Sequence, residues 1–171
     1  KRDWSSDVCS SDLIAGDDHG AKSSTVAAQV DHIFIAVSMP VLAPATVQDY
    51  IDYGLHGFAM SRFASVWVAI KAVTDTIEAA GIVDVSPNRI MPVLPTGIEW
   101  PAGGIHGRWP EEPFPKLEER LVRYKVPAVL AYARANRLDR NVFGVADLER
   151  GGAPDRKSTR LNSSHVSESR M

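Results

Sequence analysis

Leu13–Thr25 reads L-I-A-G-D-D-H-G-A-K-S-S-T, and it organises the rest of the chain. A short apolar run, a glycine and a dense polar loop are how a strand of a parallel sheet delivers functional groups to its carboxyl edge. Within ten positions the loop Gly16–Thr25 gathers Asp17, Asp18, His19, Lys22, Ser23, Ser24 and Thr25. Acid, base, cation and hydroxyl are all present. Read alone, Ser23–Thr25 serve equally as an ordinary N-cap or as an anion cradle for a helix beginning near Val26. The glycine spacing is wrong for a P-loop, and nothing around Ser23 or Ser24 resembles a nucleophile elbow. Asp17, Asp18 and His19, with Asp31 and His32, fit no metal motif of fixed offsets, so no metal site is expected from them.

Outward from this loop, the pattern is alternating strand and helix. Val26–Val37 is apolar over a length that predicts a helix, ended by Met39-Pro40. Pro40–Pro44 predicts a short buried strand with both prolines at its ends. Thr46–Phe63 predicts a helix opened by a capping box of Thr46 and Asp49. Its expected buried face is Val47, Tyr50, Ile51, Gly54, Leu55 and Phe58, with Gly54 and Gly57 allowing close packing. His56 falls on the solvated face, and Arg62 in the last turn can complement the dipole or bind an anion.

Val66–Ala72 predicts a core strand, with Lys71 either facing a cleft or, the commoner outcome, snorkelling outward from its end. Thr74–Ala80 predicts a helix and Arg89–Leu94 a weaker strand. Pro95–Pro115 predicts a long ordered loop or linker, where Trp100, His106, Arg108 and Trp109 suit a packing or subunit contact better than a cofactor site. Lys116–Asn136 predicts a helix kinked at Pro127, with Glu119 and Arg123 paired on its wet side. Strand and helix in alternation give an α/β class with a parallel sheet.

Composition narrows the function classes. The 171 residues hold enough apolar content, 44%, for one core. A net charge of −2 gives no electrostatic reason to expect nucleic acid or an anionic membrane as partner. No apolar run reaches a bilayer's thickness and no secretory h-region opens the chain, so a cytoplasmic protein is expected. The single cysteine, Cys9, excludes an internal disulfide framework.

Both ends read as foreign. Asp3–Leu13, D-W-S-S-D-V-C-S-S-D-L, and Asp155–His165, D-R-K-S-T-R-L-N-S-S-H, are in-frame translations of one common sequencing adapter in its two orientations. The expected division is therefore 1–13 adapter, 14–94 an α/β domain, 95–154 a Pro/Gly-rich linker with a helical segment, and 155–171 adapter, with both tails disordered. A parallel sheet lacking its first strands leaves an open edge and an uncovered apolar face, so self-association is expected.

The middle of the chain resembles a known family. G-D-D-H-G-A-K-S-S-T, then P-V-L-A-P-A-T-V-Q-D-Y-I-D-Y-G-L-H-G and A-M-S-R-F, followed by D-V-S-P-N-R, R-W-P and A-R-A-N-R-L-D-R, are similar to the indolepyruvate ferredoxin oxidoreductases. These belong to the thiamine-diphosphate-dependent 2-oxoacid:ferredoxin oxidoreductases, and the similarity covers Ile14–Asn141. The resemblance implies oxidative decarboxylation of an arylpyruvate with coenzyme A, the electrons passing to ferredoxin. It implies that 14–94 is part of a doubly wound, pyrimidine-type thiamine diphosphate domain. Thiamine diphosphate, magnesium and [4Fe–4S] clusters would serve the parent, which would be a homo-oligomer, while the activating glutamate and cluster cysteines lie outside this chain. Such a fragment would not turn over alone.

Transferred onto this sequence, the resemblance puts Asp17, Asp18, Lys22, Ser23 and Ser24 on the substrate side of the thiamine cleft. His19 would shuttle protons, Lys22 and the serines would hold the 2-oxo acid carboxylate, and Arg62 is a further candidate for the anion. Ala28-Gln29-Val30 stands where the family usually has His-Gln-Ser, which leaves the substrate side chain open. The alternatives are a pyruvate or other 2-oxoacid relative, and a non-catalytic α/β binding module whose polar loop only caps a helix.

Overall fold

The computed structural model describes residues 12–107 and 111–139. The chain is α/β, with a three-stranded parallel sheet in the order β1-β3-β2. β1 (Asp12–Asp17) runs into the polar loop, β2 is Val41–Leu42, and β3 (Val68–Val73) lies between them. The short β2 is flanked by Pro40 and Pro44, which have no N–H to add to the ladder at either end.

Helices cover both faces. α1 (Asp31–Ala36) lies against one face, where Phe34 packs with Val41, Ala69 and Ala15. α2 (Val47–Ala64) crosses the other face, where Met60 and Ala64 meet Leu42, Val68 and Ile70. Passing from β1 to β2 skips over β3, and the chain then steps back to it. Crossovers of one hand put α1 and α2 on opposite faces when the direction reverses.

Thr46 and Asp49 form the capping box the sequence predicts. The Thr46 hydroxyl accepts from the Asp49 amide, and the Asp49 carboxylate accepts from the Thr46 amide at 2.9 Å and the Ala45 amide at 3.0 Å. The buried face of α2 differs from the predicted one. Tyr53, His56, Gly57, Met60, Ser61 and Ala64 turn inward. The predicted stripe keeps Leu55 at 51% and Phe58 at 47% exposed. Two apolar stripes compete on this helix, and the one carrying small residues wins because Gly57, Ser61 and Ala64 let it approach the sheet closely. Of the two glycines only Gly57 is crowded, Gly54 facing open space.

His56 is consequently buried, not solvated. Its Nδ1 lies 3.1 Å from the Tyr132 hydroxyl across the α2–α5 contact. Burial holds the imidazole below its ordinary range against an opposing pull from Asp52, and pushes the Tyr132 hydroxyl up to about 12.

The C-terminal helix runs through a π turn just before Pro127, where the sequence predicts a kink. α3 is the short Thr74–Ile77, and α4 (Phe114–Arg120) passes through a π turn at Leu121–Lys125 into α5 (Val126–Ala135). A wider turn accommodates the proline ring, which has no N–H to donate and would clash with the carbonyl four residues back. Glu119 and Arg123 form their exposed i,i+4 pair at 3.7 Å. Ala128, Val129, Tyr132 and Ala133 join Leu42, Met60 and Val68 in one core, which spans the 94/95 boundary.

Two further expectations are corrected. The Val26–Val37 helix shrinks to α1, because Ala28 is drawn into an antiparallel bridge with Asp18 and the helix begins only after Val30. Arg89–Leu94 forms no strand; Val93 instead exchanges its backbone N–H and C=O with the side chain of Asn136, at 2.7 and 2.8 Å. The Pro/Gly segment is ordered by side chains, with Arg120 bonded to Glu112 and to the Gly104 carbonyl, and Trp100 edge-on to Phe63 at 5.4 Å. His106 bonds Ser65 through Nδ1 at 2.9 Å. Arg108, Trp109 and the residues of both tails, 1–11 and 140–171, lie outside the described residues.

The unpartnered stripe of α2 generates a prediction about association. Replacing Leu55 and Phe58 together by lysine is expected to shift the chain toward monomer in sedimentation velocity at matched concentration. Stability should move by no more than about 0.5 kcal/mol per site, as for surface changes that break no contact. Undiminished association would place the adhesive surface elsewhere.

Candidate functional site

The carboxyl edge of the sheet is built on a buried ion triad. Asp17 ends β1, Lys71 lies within β3 and Asp31 opens α1. Lys71 Nζ donates to Asp31 Oδ2 at 2.6 Å and lies 2.8 Å from Asp17 Oδ2. The side chains are almost wholly enclosed, Asp17 at 0% and Lys71 at 3% exposure. The contact with Asp17 is an ion pair set off the line of a hydrogen bond, and neither Asp17 oxygen has a hydrogen-bond partner. Gln29 Nε2 donates to the same Asp31 oxygen at 3.2 Å.

This corrects the expectation that Lys71 snorkels outward. A lysine in mid-strand has no short route to solvent when Phe34 and Met39 close over the same face. Burial opposes its charge, and the two flanking carboxylates outweigh that cost, so the ammonium is held above the ordinary lysine range. Two carboxylates and one ammonium leave the triad with a net negative charge.

Above the triad the loop folds around Asp18. Its Oδ1 accepts from the Lys22 amide at 2.8 Å, and its Oδ2 from the Ser23 amide at 2.7 Å and the Ser23 hydroxyl at 3.2 Å. The Asp18 carbonyl takes the Ala21 and Ala28 amides, each at 3.1 Å. Ala21 turns the chain with φ of 49°. The Lys22 amide bond chiefly, with burial opposing and the Ser23 amide and the Ser24 and Ser23 hydroxyls adding, pulls the Asp18 carboxyl down to about 2.

The loop is tied to the end of β3 as well. Lys22 Nζ pairs with Asp75, which raises the lysine, and Ser23 Oγ lies 3.0 Å from Thr74 Oγ1. His19, Ser24 and Thr25 are exposed. No helix starts near Val26, so Ser23–Thr25 neither cap one nor form an anion cradle there. The Lys22 and Ser23 amides serve Asp18 instead.

Asp17, Asp18, His19, Lys22, Ser23 and Ser24 are therefore brought to one edge. Arg62 is not. It lies exposed in the last turn of α2, beside the start of β3, whereas Asp17 pairs with Val73 at the other end of that strand. Five residues of strand separate the two levels, on the order of 17 Å at the usual rise. Lys71, Asp31, Thr74 and Asp75 belong to the edge and were not among the predicted site residues. A lysine inside an otherwise apolar strand was the available signal, since a cation there requires a buried anion.

Chemically, the edge offers an exposed imidazole at the loop tip, an ammonium shared with Asp75, and serine hydroxyls. Among the described residues no three His, Cys, Asp or Glu side chains converge to hold a metal ion. Among those residues, too, no helix is long and apolar enough to cross a membrane. Comparison with protein-family models, curated proteins and solved structures finds no match.

Two predictions follow from the edge's electrostatics. Lys71→Met should cost about 3–5 kcal/mol in urea denaturation, because it strands two buried carboxylates. Adding Asp17→Leu and Asp31→Leu should recover most of that loss, since a well-packed apolar replacement removes the stranded charge with its partner. For Asp18, the folded carboxyl titrates below the unfolded one, so its contribution is present above about pH 4 and disappears as pH falls toward 2. Asp18→Asn should flatten the acid limb of the stability–pH curve over that interval, measured by denaturant midpoints.

Proposed function

We propose that the chain is part of a thiamine-diphosphate-dependent 2-oxoacid:ferredoxin oxidoreductase whose substrate is an arylpyruvate. The observation that carries this reading is the ordered series of strings from G-D-D-H-G-A-K-S-S-T to A-R-A-N-R-L-D-R, spread over Ile14–Asn141. A parallel α/β arrangement with a polar loop at the carboxyl edge is compatible with a partial, doubly wound pyrimidine-type domain. In the parent, coenzyme A accepts the acyl group, [4Fe–4S] clusters carry electrons to ferredoxin, and the enzyme is a cytoplasmic homo-oligomer.

Thiamine diphosphate, when bound, supplies the electron sink for decarboxylation. The resemblance puts its metal–pyrophosphate end outside this chain, so this chain's share is on the substrate side. His19 gives and takes protons at the loop tip, where its ring is free of described partners. Lys22, with Ser23 and Ser24, holds the 2-oxo acid carboxylate as the ammonium exchanges Asp75 for the substrate. Asp17 and Asp18 position the loop from below. Arg62 takes no part in that contact.

A second reading, a non-catalytic α/β binding module, draws on a different observation. Asp18, Lys22 and Ser23 are already committed to one another and to Thr74 and Asp75. Sequencing the natural DNA on either side of Ile14–Pro154 separates the two. The oxidoreductase reading expects a thiamine-domain start upstream, with cofactor and cysteine motifs downstream, and fails without them. In the reassembled parent, His19→Ala is expected to lower kcat by about a hundredfold or more with arylpyruvate, with Km less affected. Unchanged turnover would remove His19 from the mechanism.

A further inference from the structure

At the opposite end of β1 from the candidate loop, Asp12 pairs in register with Val68 and packs beside α2. Both of its carboxyl oxygens are buried and neither has a hydrogen-bond partner. The fit depends on a glycine, because a Cβ on Gly57 would stand 2.7 and 3.0 Å from those two oxygens. A carboxylate enclosed in this way loses its hydration and receives nothing in exchange.

No described charge offsets it. On α2, the His56 ring next to Gly57 is turned to Tyr132, Asp52 is held by Arg89, and Arg62 is exposed in the last turn. On β3, Val68, Ala69 and Ile70 are apolar, and Lys71 is taken by Asp17 and Asp31. On β1 itself, Asp17 faces Lys71. Burial alone accordingly pushes the Asp12 carboxyl up to about 6.

We propose that Asp12 is a proton-dependent latch on β1, seating the strand against α2 when neutral and loosening it when charged. The inference stands on the geometry of β1 and is independent of the oxidoreductase reading. Asp12 lies in the stretch 1–13 read above as adapter, so the latch belongs to this chain and is not ascribed to the parent. Its consequence reaches the other end of the strand, because β1 leads directly into Asp17 and the loop above it. The native state binds this proton more tightly than the unfolded chain. Stability is therefore greatest below about pH 4 and is lost as pH rises through about 6.

Amide hydrogen exchange across β1 tests the latch in the full chain, compared between about pH 5 and about pH 7.5 after correction for intrinsic rates. Protection is expected to fall by about tenfold at the higher pH, the equivalent of one pKa unit. Asp12→Asn, a neutral near-isostere, is expected to keep its protection at both. Equal protection of the unaltered chain at the two pH values overturns the proposal, as does an undiminished fall in Asp12→Asn. Gly57→Ala supplies an independent check, since its methyl group meets the Asp12 carboxyl. It should strip protection from β1 in the unaltered chain and be tolerated beside Asp12→Ala; failure of that rescue also overturns the latch.

Discussion

The ammonium of Lys71, enclosed between Asp17 and Asp31, is the constraint on which the sheet's carboxyl edge depends. It joins the end of β1, the middle of β3 and the start of α1, beside the packing of Phe34 on Ala15 and Ala69. Buried ion groups seldom add much net stability against an apolar substitute, because desolvation offsets the attraction. Their effect is on arrangement. A strand slipped by one residue would turn Asp17 to the opposite face and leave Lys71 with one partner fewer, so the triad adds to the apolar packing in fixing register.

The loop above is governed by a second carboxylate with a different economy. Asp18 collects amides and hydroxyls from the residues that follow it, as aspartates at tight turns commonly do. That leaves the side chains of His19 and Ser24 outward while Lys22 and Ser23 reach across to Asp75 and Thr74. The same ten residues thus contain both a scaffold and a set of groups directed at solvent. Spacing alone does not separate the two, because Asp17, Asp18 and His19 are neighbours in sequence with three different environments.

What was legible in the sequence was local. The apolar run before Gly16, the Thr46–Asp49 box and the break at Pro127 each declare themselves within a few residues, and each is found in the fold. What was not legible required knowing a distant neighbour. The choice between two apolar stripes on α2 turns on how closely β1 and β3 approach Gly57, Ser61 and Ala64. The burial of Lys71 turns on two aspartates 40 and 54 positions earlier, and the loss of helix at Val26–Val30 on a bridge from Ala28 to Asp18. Arg89–Leu94 has strand-like residues but no open sheet edge paired to it. The candidate site divides the same way, its exposed groups being readable and its foundation not.

The Tyr53 hydroxyl donates to the Leu138 carbonyl, 85 positions away, and Tyr132 is wholly enclosed by residues of α2 and its neighbours. The core of the sheet is thus sealed by its most distant described helix. During synthesis the strands and α2 emerge first, with Met60 and Val68 still facing water, and closure waits until α5 has left the ribosome. At several residues per second that is an interval of seconds in which an apolar face stands open. The order of the elements along the chain, more than the strength of any one contact, sets how long the nascent protein must be kept from its neighbours.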